Sequence, residues 1–437
     1  MDGMNSGKFA DLSKAGGFGE LLVGRNLPLP EGSDNMIPFS KLERYEGNEA
    51  LFELVLMSVV STLVGEPLHI HAEGLRGTGK TTIMRAARGI LPNITRVKGC
   101  IYNCDPEQPH CPQHKNMTAE ELAALGTEEI PMPFLEISHS AKVGTVAGSI
   151  DLSRLTDKDE PEARLLPGLI PQANRGILFI DEINRLADTS PEITDILLDV
   201  MGNKPGHIQI EEAGLPVVEI PVTVSVWAAS NPDEEPGPLE EIRRQLSDRF
   251  DMVCYMGRPD SVDILAQMLK ENSHAFRQKH KNDIHDDQGN EVYRQNIIKW
   301  AKQYEQADLP DFLRNFIARL YIKHNLESIR AIEAMQQGAV LHSIIRGRDK
   351  VLITDVTDMI PLVLKHRVDG DTLVKMINDV DSRSAKDGIL TFRGRRNKAD
   401  KKDSEQEYFS QNARPLKDMS RSELINTEKT LTPTDFK

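Results

Sequence analysis

The chain has 437 residues, 39% of them hydrophobic and 27% charged, which is too long for one average domain and ample for a buried core. Its formal net charge of −14 argues against a surface built for broad, sequence-independent nucleic-acid binding, although a local basic channel stays open to it. No apolar run approaches the roughly 18 residues that cross a bilayer and the first twenty residues lack the apolar stretch of a secretory signal, so a cytoplasmic protein without a membrane span is expected.

Residues 1–37 are rich in Gly, Pro and small polar residues and read as a loosely held N-terminal arm. The apolar text ALFELVLMSVVSTLV at 50–64 predicts a helix. LHIHAEG at 68–74 predicts a short strand that turns at Gly74 into the helix of GKTTIMRAARGIL. Residues 97–118 form an irregular segment of Cys, His and Pro, and 132–170 read as a long excursion with several Gly and the charged patch DKDEPEARL. ILFIDEI at 177–183 reads as a buried strand, PEITDILLDVMG as a helix and HIQIEEAGLPVVEI as a hairpin. VTVSVWAASNP reads as another buried strand with a polar tip. This order predicts an α/β fold with an open parallel sheet and covering helices. After Pro259 strand signals fade, and amphipathic patterns near 261–277, 311–323, 327–346 and 355–366 predict a second, all-helical domain. The expected organisation is an arm at 1–37, an α/β domain at 38–258 with the 97–118 Cys/His loop and a 207–216 hairpin, a helical domain at 259–368, and a charged, partly disordered tail at 369–437.

Gly74-Leu75-Arg76-Gly77-Thr78-Gly79-Lys80-Thr81 fits G-x-x-x-x-G-K-[ST] in full. Its glycines let backbone N–H groups close around phosphates, Lys80 can reach the β and γ phosphates, and Thr81 can place its hydroxyl on Mg²⁺. Thr78 and Thr82 complete the expected ATP-binding set, and the helix that opens here adds its positive end. In ILFIDE, Asp181 is placed to hold Mg²⁺ and Glu182 to polarise the attacking water. Asn231, at the end of the second buried strand, suits a polar group that orients water beside the γ-phosphate; a plain Asn-Pro turn is the bland alternative. Arg249, with Arg243 and Arg244 just before it, offers a cation to the phosphate of an adjacent subunit, against an ordinary surface salt bridge. Arg330 in LESIRA could reach nucleotide from the helical domain, against a solvated helix arginine.

With these residues in place, the chain resembles the magnesium-chelatase ATPase subunit family of the AAA+ superfamily from about residue 37 to 367. The selective motifs are PGLIPQANRGILFIDEINRL, IEEAGLPVVEIP, ASNPDEE, QLSDRF, SIRA and RGRDKVLITDVTDMIPLVLKHR. The resemblance implies a P-loop ATPase domain with a helical lid, assembled as a ring of about six, that engages a larger ATPase-like subunit with an integrin-type domain. It also implies ATP and Mg²⁺ as cofactors and a role in Mg²⁺ insertion into protoporphyrin. By the same resemblance Asp181 and Glu182 take the magnesium and water roles, Asn231 the first sensor, Arg249 the interface arginine and Arg330 the lid sensor, with Arg243 and Arg244 standing as other candidates for the finger. The acidic, Pro-containing EEPGPLE stretch, the arm and the tail depart from the family pattern. A MoxR-like chaperone serving another client would share every motif named. A DNA-dependent motor would want Lys or Arg at the hairpin turn, where Glu211, Glu212, Ala213 and Gly214 stand instead. A ring that binds nucleotide without turning it over would not need Glu182, Asn231 and the arginines.

Cys100, Cys104, Cys111 and His114 lie within 15 residues, with His110 beside them. Three readings stay open: a structural Zn²⁺ site of thiolates and imidazole, free thiols, or an iron–sulfur cluster. Cys254, in DMVCYM, reads as a small core residue.

Overall fold

Ile177, Leu178, Phe179 and Ile180 follow one another without a polar residue, so their strand needs cover on both faces. The computed structural model of the chain buries all four completely. It describes residues 37–151, 164–202, 204–211, 217–271, 273 and 288–386. The expected arm before residue 37, most of the DKDEPEARL patch, the turn residues Glu212, Ala213 and Gly214, residues 274–277 and the tail beyond 386 lie outside the described residues.

Strands β1 (Ile70–Gly74), β2 (Asn93–Val97), β3 (Thr127–Pro131), β4 (Phe134–Ile137), β5 (Gly148–Asp151) and β6 (Arg164–Pro167) precede β7 (Gly176–Asp181). Then come β8 (Gly206–Ile210), β9 (Val218–Val222), β10 (Val224–Ser230) and β11 (Met252–Met256). Five of them form one parallel sheet in the order β11-β1-β10-β7-β4. The hairpin read at 207–216 is the antiparallel pair β8 and β9, with Ile208 opposite Ile220.

Residues 134–137 correct the reading of 132–170 as an excursion: they are the edge strand β4, paired from Phe134 opposite Ile177 to Ile137 opposite Ile180. Four residues, FLEI, are too few to show a period, and an edge strand lacks the continuous apolar text of a central one. The rest of that stretch holds a second hairpin, β5 with β6.

Fifteen α-helices are described. In the first half they are α1 (Glu46–Leu63), α2 (Lys80–Ala86), α3 (Ala119–Leu125), α4 (Val143–Val146), α5 (Leu169–Gln172), α6 (Ile183–Thr189) and α7 (Pro191–Val200). After the hairpin come α8 (Leu239–Ile242), α9 (Arg244–Arg249) and α10 (Val262–Glu271). The helical bundle continues with α11 (Gln288–Tyr304), α12 (Asp311–Lys323), α13 (Ile329–Ile345), α14 (Ile353–Leu364) and α15 (Gly370–Lys386). Helix α11 had no sequence signal, because among its 17 residues only Asn290, Ile297 and Ala301 are buried. Helix α15 continues the bundle past residue 368: Leu373, Met376 and Val380, spaced three and four apart, turn one apolar face inward.

Helix α1 is apolar on all sides and is buried accordingly, between the sheet and the bundle. One core runs from its Phe52, Val55 and Val59 through Ile70, Phe179 and Trp227 of the sheet into Leu320, Met335, Ile360 and Met376 of the bundle. The opposite sheet face, with Leu178, Ile180, Val226 and Ala228, packs on α6, α7, the β8–β9 hairpin and the Cys-rich loop. Each such fully buried side chain contributes about 1.5–3 kcal/mol over leaving it in water. Gly338 of α13 allows a close approach between bundle and sheet, since a Cβ there would stand 2.2 Å from Cε of Met252.

Candidate functional site

The strands β1, β7 and β10 are parallel, so their C-terminal ends emerge on one edge, and there the chain places its polar residues. Beyond β1 the loop turns through Gly77 and Gly79 at φ +76° and +91°, which a side chain would resist. Gly74 is confined differently: a Cβ on it would lie 2.7 Å from the Met256 carbonyl of β11.

Lys80, first residue of α2, is buried and donates from Nζ to the carbonyls of Gly74 (2.6 Å) and Leu75 (2.8 Å). Burial lowers its pKa, and Asp181 and Glu234 oppose that shift. The Thr78 hydroxyl donates to the Leu75 carbonyl at 2.9 Å. Thr81 donates to Asp181 Oδ1 at 3.1 Å, joining the phosphate loop to the end of β7. Thr82 is exposed.

Asp181 also faces Arg85 of α2 at 3.4 Å. Glu182 follows with φ 54° and ψ 50°, a left-handed conformation that turns the chain from β7 into α6. Its carboxylate lies 3.3 Å from Arg185, and Arg185 in turn stands 3.9 Å from Glu234, which Arg76 of the phosphate loop holds at 2.6 Å. Arg76 keeps Glu234 below the usual carboxylate range. Asn231 begins the loop that carries Glu234. Its Oδ1 accepts from the Asp233 N–H at 3.2 Å, and its carbonyl accepts from Asn184 Nδ2 at 3.3 Å.

The structure therefore brings together Lys80, Thr81, Asp181 and, through Arg76, Glu234 and Arg185, also Glu182 and the Asn231 loop. Sequence reasoning missed Arg76, Arg85, Arg185 and Glu234. Arg76 stood inside the phosphate-loop motif and Glu234 inside ASNPDEE, so the signal was a lone charge of each sign 158 positions apart.

The other predicted arginines stand elsewhere. Arg249 ends α9, and among the described residues its guanidinium has no hydrogen-bond or ion-pair partner; burial and the nearby Arg330 lower its pKa. Arg243 faces Asp195 at 3.7 Å, and Arg244 is exposed. Arg330, near the start of α13, donates to the carbonyls of Met201 (2.8 Å) and Gly202 (2.6 Å), so it caps the last turn of α7. Its contacts are with the Arg249 neighbourhood and not with the phosphate loop.

In the Cys-rich loop, Cys100, Cys104, Cys111 and His114 are all buried, and one ligand atom from each lies within 4.8 Å of all the others. Cys111 Sγ is 3.3 Å from His114 Nδ1, and Cys104 Sγ accepts the Cys111 N–H at 3.3 Å. Hydrogen bonds from Cys100 and Cys111 hold the Cys104 thiol well below the usual range. Convergence of buried sulfur and imidazole ligands is what a soft metal requires, and tetrahedral ligands around zinc sit roughly 3.3–3.8 Å apart. The four residues fit a metal ion. The loop is anchored by Asn103, at φ 51°, which donates to the Gln172 carbonyl at 2.7 Å and accepts from Arg96 at 2.7 Å.

Residues 314–383 match the AAA lid domain family. Over three quarters of its length the chain is similar to magnesium-chelatase subunits. It is 27% identical to the chloroplastic subunit ChlI-2 of Arabidopsis thaliana, over 79% of this chain and 78% of that protein. It is 28% identical to the magnesium-chelatase 38 kDa subunit of Acidiphilium rubrum, over 75% and 90%. It is also 28% identical to the ChlI homologue of Methanocaldococcus jannaschii, over 78% and 91%. Among the described residues no helix is long and apolar enough to cross a membrane. A parallel sheet with a phosphate loop, a helical lid behind it and this run of relatives give one answer: the chain is an AAA+ ATPase that is similar to magnesium-chelatase ATPase subunits.

Proposed function

We propose that the chain hydrolyses ATP at a site shared between neighbouring subunits of a ring, and uses the energy to drive a larger AAA+ partner protein in Mg²⁺ insertion into protoporphyrin. The observation that carries the nucleotide site is the meeting of Thr81 and Asp181 at 3.1 Å. A hydroxyl from the phosphate loop and a carboxylate from the adjacent strand are the pair that Mg²⁺ of Mg·ATP needs. Lys80 would exchange its two loop carbonyls for phosphate oxygens, and Mg²⁺ would neutralise charge on the β and γ phosphates. Glu182 would accept a proton from the attacking water, and Asn231 would orient that water. The Arg76–Glu234–Arg185 chain ties Glu182 to the phosphate loop, so closure of the loop on ATP and orientation of the base would move together.

Arg249 has no partner of its own among the described residues, and supports the reading that it serves an adjacent subunit, where it would stabilise charge on the transferring phosphoryl group. A ring of about six and a cytoplasmic setting, which suits the reduced thiols, complete the proposal. Zn²⁺ in the Cys100, Cys104, Cys111 and His114 site would be structural.

ATPase activity per chain against protein concentration tests the shared site. It should rise until assembly is complete, and Arg249→Ala should lose most turnover while still binding ATP. Flat activity across a dilution that sedimentation shows to yield monomers would sink the shared site. For the partner, the chain added to a magnesium chelatase depleted of its own ATPase subunit should restore porphyrin metallation. No restoration by an active ATPase would point to a different client.

A further inference from the structure

Directly after α14 comes the turn Lys365-His366-Arg367, and all three side chains reach from the helical bundle into the ATPase half. Lys365 Nζ lies 4.6 Å from the ring centroid of Tyr255 on β11. His366 Nε2 donates to the Phe250 carbonyl at 3.0 Å. Arg367 goes furthest. Its side chain is 5% exposed and uses all five of its N–H donors. Nε binds Asp248 Oδ1 at 3.0 Å, and Nη2 binds the Asp248 and Phe250 carbonyls at 2.8 Å each. Nη1 binds the Asp251 carbonyl at 3.2 Å and the Val363 carbonyl of α14 at 2.7 Å.

Four of these five bonds thus grip residues 248, 250 and 251, on either side of Arg249. The same turn is tied to the sheet from below, because the Asp251 carboxylate accepts the His69 N–H at 2.8 Å, just before β1. Arg249 is left as the one charged residue of the turn whose side chain has no hydrogen bond or ion pair among the described residues. A guanidinium that spends four of its five donors on a turn flanking another, unpartnered guanidinium is placed to fix where that turn points. Reaction rates punish misplacement of a reacting-site group by about 1 Å with losses on the order of 10²-fold.

We propose that Arg367 is a positioning residue that sets the direction of Arg249 from the helical bundle, so the bundle of one subunit governs hydrolysis in the next. This rests on Arg249 acting across the subunit interface. Arg367→Ala should bind ATP as the wild type does and lose turnover by roughly 10- to 100-fold. Arg367→Lys, with one ammonium where a five-donor fork stood, should lose nearly as much.

A role in folding alone would lower kcat only through fewer folded chains, so the deciding measurement is complementation. Mixed with Glu182→Gln protein, the Arg367→Ala chain should partly regain activity, because some interfaces join its intact Glu182 to an intact neighbour's Arg249. Mixed with Arg249→Ala protein it should regain none, since both chains are defective on the same side. Return of activity with Arg249→Ala, or wild-type turnover by Arg367→Ala alone, overturns the proposal. If Arg249→Ala itself turns over normally, the reading of Arg249 fails. If only Arg367→Ala is normal, this inference fails and that reading stands. Should Arg367→Ala not fold, Asp248→Ala decides: it removes a half-exposed carboxylate that Arg367 Nε holds. It should show a smaller loss in the same complementation group, and full activity would overturn the proposal.

Discussion

Lys80 holds two carbonyls of its own loop, and nothing else among the described residues duplicates its cation there. Lys80→Ala should therefore abolish ATP binding with the fold kept; unchanged affinity in a titration with a fluorescent ATP analogue would remove it from the site. Glu182→Gln keeps shape and the left-handed turn while losing the base. ATP should stay bound and turnover should fall by about 10² or more. Near-normal phosphate release would pass the proton to another group. These residues were legible in the sequence because a phosphate loop fixes both the residue types and their spacing, and a carboxylate pair after four apolar residues fixes a strand end. The charges that organise them were not. Arg76, Arg185 and Glu234 meet only because β1, β7 and β10 end on one edge of the sheet, and no local pattern encodes that meeting.

The Cys-rich loop and strand β1 give predictions at the scale of an element. Residues 97–118 bury little besides Val97, Tyr102, Asn103, the three cysteines and His114, so a metal would add much to what anchors them. Protein prepared without affinity-tag metals should contain about one zinc per chain. Cys104→Ser should lose it and melt a few degrees lower. Metal-free protein of unchanged Tm would leave free thiols. In β1, burial pushes His71 down to about 4, and it does the same to His69 just before the strand. Both are neutral when folded, and near 6.5 when unfolded. As pH falls through 6.5 the unfolded chain takes up protons that the folded chain refuses, so stability should decline from about pH 6.5 to 4. Against urea, His71→Asn should reduce that slope by about one proton; an identical slope would mean that His71 titrates normally in the fold. At this scale the sequence showed central strands and buried helices well, since continuous apolar text has few other uses. It hid β4 and α11, the first too short for a period and the second with only three buried residues.

Sequence patterns split the chain into an ATPase half and a helical half, whereas the packing joins them through α1 and one core. Helix α15 belongs to that packing, so a chain cut before Gly370 would bare the surface now covered by Leu373, Met376 and Val380. That is at most about 1.5–3 kcal/mol for each, and such a chain should melt well below the full one; equal Tm values would detach α15 from the core. A lid that shares its core with the sheet is also costly to rotate as a separate body, which moves the expected work of ATP hydrolysis toward the junctions between subunits. Nature has placed an optical test of that unity in the chain, which holds two tryptophans. Trp227 lies fully buried in the sheet, its indole N–H on Ser58 at 2.8 Å and its ring edge-on to Phe134. Trp300 sits on α11, half-buried against the same core from the helical side. With either one replaced by Phe, the remaining fluorophore reports on a single half. If the two halves are one cooperative unit, the two emission curves in denaturant will superimpose; a chain of separable domains would light up in two steps.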